Sequence, residues 1–464
     1  MKRLLLALLL STSAAHAQSL SKALVVPTCT PGRELEQAGP GLQQLTMDTQ
    51  GRLCAAATNA GSTNMVTPLM VNTIAIPLAV TTYGINFFGA NWNVPTLRGA
   101  PTPIAGTVSG LTVHNQTAVA TSYFLIALSV NGVATALQCS IGVGSGPNLG
   151  TPTGCTDRTD SIDVHAGDIL AWQSTVPGGL PTTPGAMSIS GLFTSQNGQE
   201  SLLGSATNNF ISVTGITYIG PSGQAGYVNE YQASVIMPTN GVIDHLNVSL
   251  GGVPTTYSVQ FTVFKNGAPT GIIALCNSTT GAKCTDLTHA ISVAPEDTIS
   301  VQICPSNVAG CPAGAAVPNI TMSFGLRWQP EIADEALVFN GSFNNSSTTN
   351  YAPIAGGYGA NPSEAFFQNP APIAMTLGNL LAAQCPDISA TTSRTVTLRS
   401  NGVSLAPTVI MPTGTGVCPS LTIAPQDTIH TAQVTTDQLL NFLTVPTGGG
   451  QNPLFKTSMT ATVP

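Results

Sequence analysis

Charged side chains are scarce in this sequence. Asp, Glu, Lys and Arg make up 7% of its 464 residues, against about 25% in an average soluble domain. The apolar share, 42%, is ordinary, which excludes disorder driven by charge repulsion, because such segments combine high net charge with low hydrophobicity. The 13 Lys and Arg residues are too few to form a basic face along a phosphate backbone, so we expect no nucleic-acid partner.

Sequence motifs for catalysis and zinc binding are also missing. The ten cysteines contain no Cys-x-x-Cys pair, and no two histidines have the spacing of a metal-binding motif. No Gly-x-Ser-x-Gly elbow occurs in a strand-turn-helix pattern. These absences predict a protein that is not an enzyme and needs no cofactor.

The first 17 residues have the layout of a secretory signal peptide. Lys2 and Arg3 supply the positive start, Leu4–Leu10 is apolar, and Ala15-His16-Ala17 has the pattern of a cleavage site. This apolar run is shorter than the roughly 20 residues that span a bilayer, and Gly, Pro, Asn and Thr interrupt every later one. We expect an exported chain without a membrane span, secreted or held in the periplasm or at the cell surface.

Ten cysteines suit the oxidising compartment that export would give them. Taken in order, they form five couples with separations from 7 to 33 residues: Cys29 and Cys54, Cys139 and Cys155, Cys276 and Cys284, Cys304 and Cys311, Cys385 and Cys418. These separations are typical of loop staples. Connectivity cannot be deduced from sequence, so sequential pairing is a hypothesis.

A repeat organises the rest of the chain. Three Asn-Gly dipeptides that each follow a segment rich in β-formers begin at Asn131, Asn266 and Asn401, with a constant spacing of 135 residues. Asn-Gly favours the positive φ angles of a type I′ turn, so each dipeptide predicts a hairpin tip.

Three more landmarks recur in the same order around each dipeptide. An apolar pattern precedes it, and a closing strand with alternating apolar residues ends each unit. Between them lies a turn with an aspartate, which we assign to Asp168, Asp297 and Asp427. Because aspartate in a tight turn accepts backbone N–H groups, we interpret all three as structural residues.

This order of landmarks predicts an all-β fold of three tandem antiparallel β-sandwich domains, jelly-roll-like in topology. The expected divisions are a signal peptide (1–17), an N-terminal segment or linker (18–73) and three sandwiches (74–198, 199–332 and 333–464). A small acidic run, Glu331 to Glu335, is interpreted as a solvated face between the last two domains.

One string in the first repeat resembles the jelly-roll modules of bacterial exported proteins and phage tail-fibre-like proteins. It consists of Val130–Gly132, Cys139, Cys155–Asp157, Ser161–Val164 and Ala166–Asp168. Such modules are similar to the β-sandwich of complement C1q and tumour necrosis factor. The resemblance covers about four fifths of the chain, is weakest in the third repeat, and implies structural or attachment roles and trimeric assembly.

Two sets of residues are candidates for a site. Asp157, Asp160 and Asp163 lie three residues apart, and grouped hard oxygen ligands suit Ca²⁺. The competing interpretation is a solvated loop, since Arg158 would oppose a cation. Trp92, in a Gly- and Asn-rich segment, is a candidate for stacking on a sugar.

The sequence therefore predicts a secreted, non-enzymatic structural or attachment protein with a cell-surface or extracellular partner, and a glycan is one candidate. The alternatives are a carbohydrate-binding lectin and a polysaccharide hydrolase whose carboxylates converge in one domain. Homo-oligomers are compatible with the resemblance. Within one chain we expect separate domains on a string, with a self-contained trimer of domains as the alternative.

Export gives the first testable prediction. Expressed with its leader in a bacterial host, the protein should be cleaved after Ala17, so that intact mass and N-terminal sequencing place Gln18 first. An Ala17→Arg variant should keep its leader, because the cleavage pattern requires a small residue there. Exported wild-type protein that retains residues 1–17 would contradict the assignment.

Overall fold

The computed structural model of the protein consists almost entirely of antiparallel strands, which confirms the all-β prediction. The residues it describes are 31–34, 45–48, 53–55, 65–73, 82–85, 99–119, 122–176, 186–196, 198–206, 215–221, 229–318, 320–344, 348–356, 360–385, 393–412, 421–447 and 454–463. The chain divides into two compact units, Met1–Thr63 and Asn64–Pro464. In the first unit, three short strands form one antiparallel sheet: β1 Pro31–Glu34, β2 Leu45–Asp48 and β3 Leu53–Ala55.

The second unit begins with sheet pair 1. Its strands are β4 Val66–Thr73, β5 Thr82–Ile85, β6 Ala100–Pro101, β7 Gly106–Asn115, β8 Tyr123–Val130, β9 Val133–Gly142, β10 Gly154–Val164, β11 Ile169–Thr175 and β12 Met187–Ser195. One sheet has the order β10-β7-β12-β4 and the other β5-β11-β8-β9, with β6 paired to β11.

Sheet pair 2 repeats this topology. Its elements are β13 Ser201–Ala206, β14 Thr217–Ile219, the one-turn helix α1 Glu230–Ala233, β15 Val235–Ile236, β16 Gly241–Leu250, β17 Val259–Lys265, β18 Ala268–Cys276, β19 Lys283–Val293, β20 Thr298–Pro305 and β21 Met322–Pro330. The sheets run β13-β21-β16-β19 and β14-β20-β17-β18, and β15 pairs with β20 as β6 does with β11.

Sheet pair 3 follows the same plan. Its elements are β22 Glu335–Asn344, β23 Asn350–Pro353, a 3₁₀ turn Glu364–Phe367, β24 Asn369–Pro370, β25 Met375–Cys385, β26 Arg394–Ser400, β27 Val403–Met411, β28 Thr422–Ile423, β29 Ala432–Val434, β30 Leu439–Pro446 and β31 Leu454–Thr462. The sheets run β22-β31-β25-β28 and β23-β30-β26-β27, with β29 on β25 and β24 on β30.

Each pair is held together by apolar side chains that point from both sheets into a shared core. In sheet pair 1, Val108 and Leu111 of β7 pack in one cluster with Phe124 and Ile126 of β8. Phe124, Ile126 and Leu128 occupy alternate positions of β8 and all belong to this core, which also contains the fully buried Trp172. Trp328 of β21 is equally buried in sheet pair 2.

The three Asn-Gly dipeptides form the predicted turns. They connect β8 to β9, β17 to β18 and β26 to β27, all antiparallel neighbours. Asn131, Asn266 and Asn401 have φ angles of 53°, 53° and 48°, and the glycine that follows each is also in the positive region. Type I′ turns require this conformation at both central positions.

The sheet pairs contact one another in a cycle. The short strand β6 of pair 1 lies against β13, β16 and β21 of pair 2, and β15 of pair 2 lies against β22, β25 and β31 of pair 3. β24 of pair 3 returns to β4, β7 and β12 of pair 1. The expected string of separate domains is therefore wrong for residues 64–464, which form one compact unit.

The acidic run before sheet pair 3 is not a solvated face throughout. Glu335 is buried, and its carboxylate accepts hydrogen bonds from Thr239 Oγ1 at 2.7 Å and Asn379 Nδ2 at 3.2 Å. Asp334 accepts one from Gln199 Nε2 at 2.9 Å. Thr239 and Asn379 belong to different sheet pairs, so Glu335 ties the connector to both. Glu331 is exposed, as expected.

Gly325 of β21 gives a test of these contacts. A Cβ atom there would overlap the carbonyl oxygen of Pro101, which belongs to the neighbouring sheet pair. We expect Gly325→Ala to destabilise the protein by about 1–3 kcal/mol, the usual cost of overpacking, and to lower the melting temperature in calorimetry. A Cβ at Gly215 would meet nothing within 4 Å, so Gly215→Ala is the control. Equal melting temperatures for both variants would contradict close packing at this contact.

Candidate functional site

Three of the five predicted disulfides are present. Cys139–Cys155, Cys276–Cys284 and Cys304–Cys311 are bonded. The first joins β9 to β10 and the second β18 to β19, and in each case these are the edge strands of the two sheets of one pair. Cys29 and Cys418 lie outside the described residues, so the couples Cys29 with Cys54 and Cys385 with Cys418 stay predictions. Trp92 also lies outside them.

Beside these staples, one aspartate in each sheet pair joins the same two edges. The bridging aspartates are Asp157, Asp286 and Asp427. Their Oδ2 atoms accept hydrogen bonds from backbone N–H groups of the opposite sheet, which belong to Gln138, Ile273 and Thr408, at 2.8–3.0 Å. The Oδ1 atoms accept N–H groups two and three residues further along their own chain segment. One carboxylate thus shapes its own chain segment and ties it to the facing sheet.

The assignment of Asp427 to the aspartate turn is wrong. The turn equivalent to Asp168 and Asp297 contains Gln438, whose Oε1 accepts the N–H of Thr435 at 3.0 Å. The carboxylates of Asp168 and Asp297 accept the N–H three residues before them in the same way, at 2.8 and 2.7 Å. The segment Pro425 to Asp427 matches Pro295 to Asp297 in letters, but it occupies the place of the bridging aspartate.

In the bridging aspartates, hydrogen bonds to the carboxylate together outweigh burial and lower the pKa. Burial disfavours the charged form of Asp286, but N–H groups of Ile273, Thr288 and His289, together with the His289 ring, lower its pKa to about 2. The same balance of burial against backbone hydrogen bonds lowers the pKa of Asp157 and of Asp427. These carboxylates are therefore charged at neutral pH.

The candidate calcium ligands are not brought together as a set. Asp157 is occupied by the bonds described above, and Asp163 accepts a hydrogen bond from Thr107 Oγ1 at 2.9 Å. The charge of Asp157 raises the pKa of the neighbouring Asp160. In the described part of the chain, no three His, Cys, Asp or Glu residues are grouped to hold a metal ion.

The contacts between sheet pairs contain specific polar bonds. The fully buried Lys456 of β31 donates from Nζ to the carbonyls of Tyr231 and Ser234, at the end of helix α1 in sheet pair 2. Asn72 of β4 reaches the carbonyl of Phe366, in the 3₁₀ turn of sheet pair 3, at 3.2 Å. Burial lowers the pKa of Lys456 to about 7, against the opposing effect of Glu230.

Two clefts could accept a ligand. The larger, about 640 Å³, lies at one end of sheet pair 2, and its polar lining includes Asn240, Gln329 and Glu331. Lys265 also lines it, but its Nζ is engaged by Asp297 at 2.8 Å. The smaller cleft, about 300 Å³, lies between sheet pairs 1 and 3 and contains His114, whose pKa burial lowers.

Several apolar side chains are exposed that sequence reasoning did not identify, and two groups of them lie at equivalent places in different sheet pairs. Val133 and Val403 follow the Asn-Gly turns and are 69% and 64% exposed. Ile273 and Leu287 are exposed on the edge strands of sheet pair 2, and Ile429 near the corresponding edge of pair 3. The sequence contains a signal for both valines, because each one directly follows an Asn-Gly turn.

Comparison with known proteins adds no relative. No protein-family model and no curated protein sequence matches the chain. Within the described ranges, no helix has the length and apolar character needed to cross a membrane.

Asp286 is the most direct test of the bridging aspartates. An amide has one acceptor oxygen, so Asp286→Asn would place its NH₂ group against a backbone N–H, and we expect a loss of about 2 kcal/mol in unfolding free energy at pH 7. The folded pKa lies below the unfolded value of about 3.9, so this stabilisation is complete above that value and disappears as the pH falls towards 2.

Chemical denaturation of wild type and Asp286→Asn between pH 7 and 3 measures this difference, which should shrink with acidity. The exposed Glu331→Gln is the control and should change little at any pH. A gap between wild type and Asp286→Asn that does not change with pH would contradict the role of the charge.

Proposed function

We propose that the protein is a secreted, non-enzymatic attachment or structural protein, in which three β-sandwich domains form a self-contained trimer within one chain. The cyclic contact of β6, β15 and β24, repeated by equivalent strands in each sheet pair, is the observation that supports it. Three equivalent contacts that close on themselves relate the domains by successive rotations about one axis. Equivalent hairpin tips then lie at the same end of the molecule.

The tips suit attachment. All three hairpin tips have the same turn geometry. Val133 and Val403 expose most of their apolar side chains there, and Ala268 occupies the corresponding position in the second domain. Three rigidly linked contacts bind a repetitive surface with avidity, since the second and third contacts form within one complex.

Several features support an extracellular setting. The disulfides join the edges of two sheet pairs and would persist outside a reducing cytosol. The predicted leader gives the route for export.

A glycan-binding version of this role is supported by the larger cleft. Amide groups of Asn240 and Gln329 and the carboxylate of Glu331 line it, and such groups bond to sugar hydroxyls. In that case the ligand would lie at the cleft rather than across the tips.

Binding of the purified, processed chain to bacterial cell envelopes and to a glycan array tests the proposal. We expect saturable binding without release of product from polysaccharides, and about a hundredfold weaker binding when Val133 and Val403 are both changed to Thr, because avidity is lost. Val253→Thr is the matched control: Val253 is 66% exposed and lies at the far end of β17 from the hairpin.

Other outcomes would contradict the proposal. Turnover of a polysaccharide that disappears on changing one carboxylate would establish a hydrolase. Glycan binding that is lost in Gln329→Ala but kept in the valine variant would place recognition in the cleft. Absence of binding to every surface would overturn attachment.

A further inference from the structure

The three Asn-Gly turns have the same backbone but different side-chain partners. Asn131 donates from Nδ2 to Asp168 Oδ1 at 2.8 Å and accepts the N–H of Ile169 at 3.0 Å. Asn266 likewise donates to Asp297 at 2.6 Å and accepts the N–H of Thr298 at 2.7 Å. In both turns the side-chain amide is therefore fixed at its oxygen and at its nitrogen.

The third turn keeps only half of this arrangement. Asn401 Oδ1 accepts the N–H of Leu439 at 2.9 Å, but Gln438 stands where the other turns have aspartate. Its oxygen is directed to the N–H of Thr435. Within the described residues, Nδ2 of Asn401 donates no hydrogen bond.

A cation also lies beside the third turn. Arg399 donates to the carbonyl of Gly402 and is held by Glu364, with Nε to Oε1 at 2.8 Å. The equivalent positions in the other two turns are Ser129 and Phe264, which have no charge. The carboxylate that holds the asparagine amide in the first two turns is thus absent from the third, where the nearby Glu364 is paired with Arg399. A cation also lies beside the second turn, since Lys265 Nζ contacts Asp297 at 2.8 Å.

Asn-Gly sequences can convert without an enzyme. The backbone nitrogen of glycine attacks the side-chain Cγ of asparagine, a C–N bond forms, and ammonia leaves with the proton of the glycine N–H. Water then opens the resulting succinimide to aspartate or isoaspartate. Glycine permits the attack because it has no side chain to hinder it.

We propose that, among the three equivalent hairpin turns, Asn401-Gly402 is the one that deamidates selectively, and that Asp168 and Asp297 protect the other two turns. The aspartates resist rotation of the amide towards the glycine nitrogen. Their charge also opposes the negative charge that develops on Oδ1 during attack. At Asn401 no carboxylate holds the amide, and the charge of the nearby Glu364 is balanced by Arg399.

Conversion would change one tip of three. The product has a new carboxylate close to Glu364, and isoaspartate adds a methylene to the main chain, which the type I′ turn cannot accommodate. The hairpin of sheet pair 3 would therefore change with the age of the molecule, while the other two tips keep their form.

Peptide mapping by mass spectrometry tests the proposal. The folded full chain is incubated in mildly alkaline buffer, and amide-to-acid conversion is followed at the three asparagines. Asn401 should convert about tenfold faster than Asn131 and Asn266, the factor that about 1.4 kcal/mol of barrier height gives. The same chain in denaturant should show similar rates at all three, since the local sequences are alike.

Two variants separate the aspartate effect from general stability. Gln438→Asp should slow Asn401 to the rate of the other turns, and Asp168→Gln should accelerate Asn131 alone. Melting temperatures confirm that both variants are folded, and either variant suffices if the other does not fold. Equal rates in the folded chain, or an Asn401 rate unchanged in Gln438→Asp together with an Asn131 rate unchanged in Asp168→Gln, would overturn the proposal.

Discussion

The architecture depends on a small contact made three times: a two-residue strand of one sheet pair lies on the outer face of a sheet in the next pair. The receiving strands β12 and β21 are consequently buried on both of their faces over most of their length. One face packs in the core of its own pair. The other must be flat and almost uncharged, and serine, threonine and glycine meet that requirement, as at Ser190 and Gly325. Charged side chains are therefore disfavoured at the positions where neighbouring sheet pairs meet.

Local features could be predicted from the sequence, and long-range ones could not. Asn-Gly turns depend on two residues, and the three observed disulfides join residues at most 16 positions apart, so both were correct. The string of domains was preferred to the self-contained trimer because the contact faces are rich in serine and threonine, which hydropathy alone cannot distinguish from a solvated surface. The burial of Glu335 was also not predicted, because its hydrogen-bond partners Thr239 and Asn379 are far from it in sequence.

The bridging aspartates explain why Asp427 was assigned to the wrong turn and why acidic residues are grouped around Asp157. A β-sandwich leaves the edges of its sheets open, and open edges are sites of unwanted pairing. Here a carboxylate on one edge strand accepts a hydrogen bond from a backbone N–H of the facing edge strand. The irregular backbone that follows the aspartate brings further acidic or histidine side chains close to it. That produces the acidic spacing around Asp157, which invited a calcium interpretation. Asp427 is preceded by Pro425 and Gln426, which resemble the residues before Asp297 in the aspartate turn.

Because the three sheet pairs belong to one polypeptide, their arrangement does not depend on protein concentration. A trimer of separate chains dissociates when it is diluted, because its stability depends on the concentration of its subunits. Here the pairs that meet through β6, β15 and β24 belong to one polypeptide, so the arrangement is equally stable in a single molecule in a large volume. It also allows the three copies to diverge: a mutation in a homotrimer alters every subunit, whereas Gln438 differs from Asp168 and Asp297 within one particle.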